Sequence, residues 1–222
     1  MGRGPGLNKA VNLRMLPFLA AAGTGLLMLP GALRLRRLKY GRTAVGGVVN
    51  MKDAVQACRR TGLQGWDLVK FAQQLTARKF ATYSTLNVWD PPGRAFICGT
   101  GYCTQYNLAL KHILDRLGFE TTAVFAPKVR ILDNEAWRMG HTWLRVTIEE
   151  ETRDVCAGRV ENEPGKVHFV PLSKVYAGRP LTMFLTHLGM VFFMGFLEWQ
   201  ALITGAEPPA WAYKERQYVA DS

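Results

Sequence analysis

Two apolar runs set the terms on which this chain can fold. Met15 to Leu33 reads MLPFLAAAGTGLLMLPGAL, nineteen residues without a charge, and Leu181 to Leu197 reads LTMFLTHLGMVFFMGFL, seventeen residues. Each approaches the ~20 apolar residues that cross a bilayer, so an ordinary core has to be built between them. Arg3, Lys9 and Arg14 precede the first run, and Arg34, Arg36, Arg37, Lys39 and Arg42 follow it. A cleaved export signal would end in small residues with little positive charge after them, which is not this pattern. Pro17, Gly23, Gly25, Pro30 and Gly31 interrupt a straight helix, and lipid tolerates such residues better than water does. A span, a segment lying flat on a membrane and a helix packed on the core all fit. In the second run His187 and Glu198 lie eleven residues apart, close to three helical turns, and share a face. Such a stripe fits a helix set against protein, or skimming a membrane, better than one bathed in lipid.

The charge follows the same division. Residues 1–60 hold eleven basic residues against the single acid Asp53, whereas residues 61–222 hold seventeen against sixteen. A nucleic-acid-binding fold carries its positive charge on the folded surface that meets phosphate, so no nucleic-acid partner is expected. An anionic membrane surface met by residues 1–45 is the expected partner of the basic end. Cys58, Cys98, Cys103 and Cys156 are too few and scattered for a disulfide framework, which points to a reducing, cytoplasmic compartment with membrane association.

Between the flanks the periodicities are readable. Leu68, Phe71, Ala72 and Leu75 predict an amphipathic helix over Asp67–Phe80. Ala81–Tyr102, with its Asp90-Pro91-Pro92-Gly93 turn signal, reads as loop. Tyr106, Leu110, Ile113, Leu114 and Leu117 predict a helix from Thr104 that Gly118 stops. Thr121–Ala126, Thr142–Ile148, Arg153–Cys156 and Val167–Val170 read as strands, and Pro208, Pro209, Trp211 and Tyr213 as an irregular, partly docked tail. One helix followed by consecutive short strands is an α+β arrangement.

Cys103 falls at the N-terminus of the helix that Gly118 ends, where orphan N–H groups and the helix dipole favour a thiolate. Gly101 allows close backbone approach, so Gly101 and Tyr102 are candidates for the oxyanion site. His141, opening a strand, is placed to take the thiol proton, and Asp154 in the next strand to orient the imidazole. One check strains this register. His141 and Asp154 face each other only if the hairpin centres between Thr147 and Ile148, whereas the Glu149-Glu150-Glu151 run puts the turn two or three residues later. The alternatives are a small buried cysteine closing the helix on the sheet, or a zinc site of Cys98, Cys103, His141 and Cys156, although C-x₄-C without a second pair is a weak metal signal and no metal is expected.

The stretch from Gly101-Tyr102-Cys103 to Gly118, with Gly140-His141-Thr142-Trp143 and Asp154-Val155, resembles the transglutaminase-like superfamily of Cys-His-Asp thiol enzymes. Locally it is similar to the arylamine N-acetyltransferase branch, whose patterns are matched at Gly101, Tyr102, Cys103 and Asn107 and again at Asp154, Val155 and Gly158. Gly99 and Gln105 stand where that branch has Arg and Glu, and Cys156-Ala157 where it has Gly-Phe. The resemblance implies a papain-like core over residues 46–178, its cysteine helix packed on an antiparallel sheet carrying His and Asp. An N-terminal leader (1–45) and an apolar C-terminal helix with a tail (179–222) would flank it. It implies a Cys103 acyl-enzyme that makes or breaks an amide or ester bond, with His141 as base and Asp154 as orienter. Trp89, Trp137, Trp143 and Asn107 are the expected cleft residues. The expected partner is an acyl or peptide/amide substrate, with no cofactor. The alternatives are a coenzyme-A-dependent arylamine N-acetyltransferase-like enzyme, with coenzyme A thioester as donor, and an inactive membrane-associated or partner-binding module.

Overall fold

The computed structural model describes residues 16–37, 44–132 and 139–215. The expectations for Trp137 and for the basic residues Arg3, Lys9, Arg14, Lys39 and Arg42 lie outside the described residues. In chain order the elements are helices α1 (Leu16–Arg37), α2 (Met51–Arg60) and α3 (Gly65–Lys79), strand β1 (Thr82–Ser84), helix α4 (Pro92–Cys98), strand β2 (Thr100–Gly101) and helix α5 (Cys103–Leu117). Then come β3 (Glu120–Ala126), β4 (Val129–Ile131), β5 (His141–Ile148), β6 (Glu151–Val155), β7 (Phe169–Pro171) and β8 (Tyr176–Ala177). Helix α6 (Pro180–Thr204), a 3₁₀ turn (Ala210–Ala212) and β9 (Tyr213–Glu215) complete the chain.

Helix α5 is the spine of this α+β core. Its inward residues Tyr106, Leu110, Ile113 and Leu114 are fully buried, each worth ~1.5–3 kcal/mol of transfer free energy. Gly118 then takes a left-handed φ of 92° and ends the helix as its sequence predicts. α5 lies across β3 and β5 of a four-stranded sheet of order β6-β5-β3-β8, while α2, α3 and α4 pack around its other sides. The sheet is antiparallel throughout, with Ala126 opposite His141 and Leu144 opposite Val155.

Two expectations are corrected. The stretch Ala81–Tyr102 is not plain loop: Pro92, in the first turn of a helix, starts α4 because its fixed φ suits a position whose N–H needs no partner. The tail docks as expected, with Pro208 and Pro209 in irregular structure, but its end is regular: β9 pairs antiparallel with β1, which also pairs in parallel with β2.

The two apolar runs form α1 and α6, and these pack on each other. A Cβ on Gly195 would collide with Leu27, and Gly31 meets the Glu198 side chain, so small residues let the helices approach closely. α6 starts at the sheet edge, where the Gly178 amide donates to the Ala123 carbonyl at 2.7 Å. Met28 of α1 and Val191 and Met194 of α6 then join Leu86, Val88, Tyr102 and Ala212 in a second apolar cluster.

Candidate active site

Cys103 is the first residue of α5, and the start of that helix is bound to the start of β5. The hydroxyls of Thr104 and Thr142 are 3.2 Å apart, and Asn107 Nδ2 donates to the Thr142 carbonyl at 2.7 Å. The Cys103 sulfur therefore sits against the His141–Thr142 peptide. Burial pushes the Cys103 thiol above its ordinary pKa, while hydrogen bonds from the Thr142 amide, the Thr104 hydroxyl and the amides of Thr104 and Cys103 pull it down. The resting thiol is thus less acidic than a helix N-terminus alone predicts. The same donors still converge on the sulfur, where they would hold a thiolate once a base has taken the proton.

His141 is 7 % exposed and held by rings. Phe169 lies 4.5 Å from it centroid to centroid, Trp143 stacks at 6.2 Å, and His168 meets it edge-on at 5.9 Å. Nε2 of His141 lies 3.4 Å from the Cys156 sulfur. That sulfur also accepts from the Gly158 amide at 3.3 Å and from Asn107 Nδ2 at 3.5 Å. A carboxylate orienting an imidazole would make the same kind of contacts, and here a cysteine makes them.

Asp154 is not at this place. The hairpin turns at Glu149-Glu150, with Ile148 opposite Glu151 and Glu149 at a φ of 56°, so Asp154 pairs with Arg145, four residues beyond His141 on β5. Its carboxylate binds the Arg145 guanidinium at 3.2 Å on the sheet surface. The acidic run marked the turn correctly, and the register it sets carries Asp154 away from His141, leaving the Cys156 sulfur beside the imidazole.

Other expected site residues have structural duties. A Cβ on Gly101 would come within 2.7 Å of Gln105 Oε1 and 3.0 Å of Phe80, so this glycine makes room for those two side chains. The Tyr102 amide donates to Gln105 Oε1 at 3.1 Å, which leaves it committed. Asn107 is fully buried, with Oδ1 accepting from the Ala157 amide at 2.9 Å, and clamps α5, β5 and the end of β6 together. Trp143 is fully buried behind His141 and walls no cleft. Trp89 packs with Tyr102 and Cys103 in the second apolar cluster.

The sequence reading noted Gln105 only as a departure from the family pattern and missed its contacts, in which Nε2 donates to the Asn87 and Asp90 carbonyls at 2.9 and 2.8 Å and ties that turn to the cysteine. Its position one turn after a glycine was the available signal. It also missed the link between Tyr102 and His187, whose hydroxyl and Nδ1 share a 2.9 Å hydrogen bond across 85 residues of sequence. Among the described residues no three His, Cys, Asp or Glu side chains are grouped to hold a metal ion.

A sequence model of the N-acetyltransferase family matches residues 99–159, the segment that runs from before Cys103 through His141 to Gly158. No curated protein matches the chain. The segment carrying the thiol and the imidazole is therefore similar to an acyl-transferring family that uses a cysteine nucleophile.

Proposed function

We propose that the protein is a cysteine acyltransferase of the N-acetyltransferase kind, in which Cys103 carries the acyl group between a thioester donor and an amine acceptor. The observation that carries this reading is the seating of the Cys103 sulfur against the His141–Thr142 peptide, inside the segment similar to that family. His141 takes the Cys103 proton, and the thiolate attacks the donor carbonyl. The new C–S bond forms as the donor's own C–S bond breaks, and the departing thiolate takes the proton back from the imidazolium. The amine then attacks the Cys103 thioester, giving an amide and returning the proton to the sulfur through His141. An acyl-coenzyme A is a chemically sufficient donor. Cys156, aimed at Nε2, takes the orienting role in place of Asp154. A family of amide-hydrolysing thiol enzymes would share the first half-reaction, and water in place of the amine would distinguish it.

Intact mass spectrometry after mixing with an acyl-coenzyme A tests this directly. A single acyl adduct mapping to Cys103, discharged by an arylamine and absent in Cys103→Ser, is the expected result. An adduct on another cysteine, or none with any thioester, would overturn it. Cys156→Ala should slow acylation about 10–100-fold, the usual cost of losing a partner that orients a functional histidine, and shift its pH profile. An unchanged rate and profile would remove Cys156 from the role, and Asp154→Ala should leave both as they were.

A further inference from the structure

Helix α6 is apolar on the wrong side for a protein that meets only water. Its inward face carries its two titratable side chains, with His187 on Tyr102 and Glu198 on Arg34 at 3.2 Å. Its outward face is Leu181, Phe184, Leu185, Leu188, Phe192 and Phe196, with Phe192 59 % and Phe196 65 % exposed. Soluble helices show the opposite order, and an exposed apolar face of this extent marks an interaction surface.

Length and charge identify what covers it. By length and composition α6 could cross a bilayer from Leu181 to Thr204, and among the described residues no other helix passes that test. Its inner face, however, is taken by the protein's own core from His187 to Ala201, so it cannot be surrounded by lipid. In α1, every residue from Phe18 to Leu26 is exposed, and Leu26 and Leu27 meet α6 at Trp199 and Gly195. Nine helical residues extend about 14 Å, well short of crossing a hydrocarbon core ~30 Å thick. Arg34, eight residues after Leu26, is held by Glu198 and Glu207, and Arg36, Arg37, Lys39 and Arg42 come after it in the sequence, a basic charge that favours an anionic surface.

We propose that α1 and α6 dip their outer faces into one leaflet of an anionic bilayer without crossing it, and that Cys103 takes its acyl group from a lipid-borne thioester or ester held there. The second half rests on the acyltransferase reading. Its structural ground is that Cys103 and Tyr102 belong to the same apolar cluster as Met190, Val191, Met194 and Met28 on the inner side of these helices. The reactive sulfur lies immediately beneath the lipid-facing layer.

Full-length protein should float with vesicles of phosphatidylcholine and phosphatidylglycerol and stay bound in high salt. Phe192→Glu/Phe196→Glu should reduce that binding at least about tenfold. Release by salt alone, or a soluble dimer that ignores vesicles, overturns the membrane face and identifies peripheral charge attachment or a second copy as the partner instead. A membrane-impermeant label should reach cysteines placed at both ends of α6 from the same side; labelling from opposite sides would show a span and overturn the one-leaflet placement. For the substrate, Cys103 should acylate at least about tenfold faster from a long-chain acyl-coenzyme A partitioned into vesicles than from the same donor without them. The double variant should lose that acceleration and keep its rate with a soluble acetyl thioester. Equal rates with and without vesicles overturn the lipid substrate while leaving the acyltransferase intact. Flotation without any Cys103 adduct overturns the acyltransferase reading, and the lipid substrate with it, while the membrane face stands.

Discussion

The sheet-and-helix core and the α1–α6 pair handle the same problem in opposite ways. In the core, α5 turns Leu110, Ile113 and Leu114 inward and leaves Lys111, Asp115 and Arg116 near solvent. In the pair, α6 turns Glu198 inward and leaves Phe184, Phe192 and Phe196 outward. The first arrangement is what water imposes on an amphipathic helix, and the second is what a less polar medium permits. Cys103 touches both regions, packing against the main core on one side and the second cluster on the other. The start of α5 therefore lies at the boundary between the two regions.

The largest test of that contrast is the charge buried between α1 and α6. Glu198 is 2 % exposed and its salt-bridge partner is Arg34, which also binds Glu207 at 2.8 Å. Arg34→Ala would leave an uncompensated carboxylate in an apolar seam, at a cost of about 3 kcal/mol. Arg34→Ala/Glu198→Leu should recover most of it. Thermal unfolding in mild detergent reads this as a lowered midpoint restored in the double variant; a single variant as stable as wild type would mean that the seam is open to water.

The core side has its own buried acid, and here pH is the probe. Asp90 is 3 % exposed; burial pushes its carboxyl up to about 6, and Arg94 at 3.2 Å offsets this only in part. Because the folded value lies above the unfolded one, this group favours folding below pH ~4 and the benefit is lost as pH rises through about 6. Wild type should lose roughly 3 kcal/mol across that window relative to Asp90→Asn, whose stability should stay flatter. Parallel curves for the two proteins would show that Asp90 is solvated in solution.

Much of this was legible in the sequence because it is local. The apolar spacing gave α3 within two residues at either end, Gly118 gave the stop of α5, and the Glu149–Glu151 run gave the hairpin centre. Cys103 and His141 were singled out by a local address, a helix start and a strand start, and those are the positions they occupy. What failed was register and distance. Asp154 carries the expected charge, but a two-residue shift of the turn sends it to Arg145 and leaves Cys156, a residue that looks unremarkable alone, beside the imidazole. Trp143 looked like a cleft wall because aromatic content says nothing about which side of a strand is covered. The Tyr102–His187 pair has no local signal at all, since its two residues belong to regions with opposite patterning.

That pair gives the smallest and most discriminating prediction. Tyr102 is 4 % exposed, and burial, aided by the neighbouring Cys103, raises its phenol so that the hydroxyl stays protonated at neutral pH. Tyr102→Phe removes one hydrogen bond and no packing, which should cost about 1 kcal/mol of stability. If the helix pair only anchors the protein, acylation of Cys103 from a soluble thioester should be unchanged, because the donors around the sulfur come from Thr104, Thr142 and Cys103 itself. If α6 also sets the position of the residue before the nucleophile, the rate should fall several-fold while flotation with vesicles stays intact. Single-turnover acylation of Tyr102→Phe beside Tyr102→Phe/His187→Leu separates the two: a joint role makes the double variant no slower than the single one, whereas independent roles make the losses add. Additive losses would mean that the two regions meet at Cys103 without working on each other.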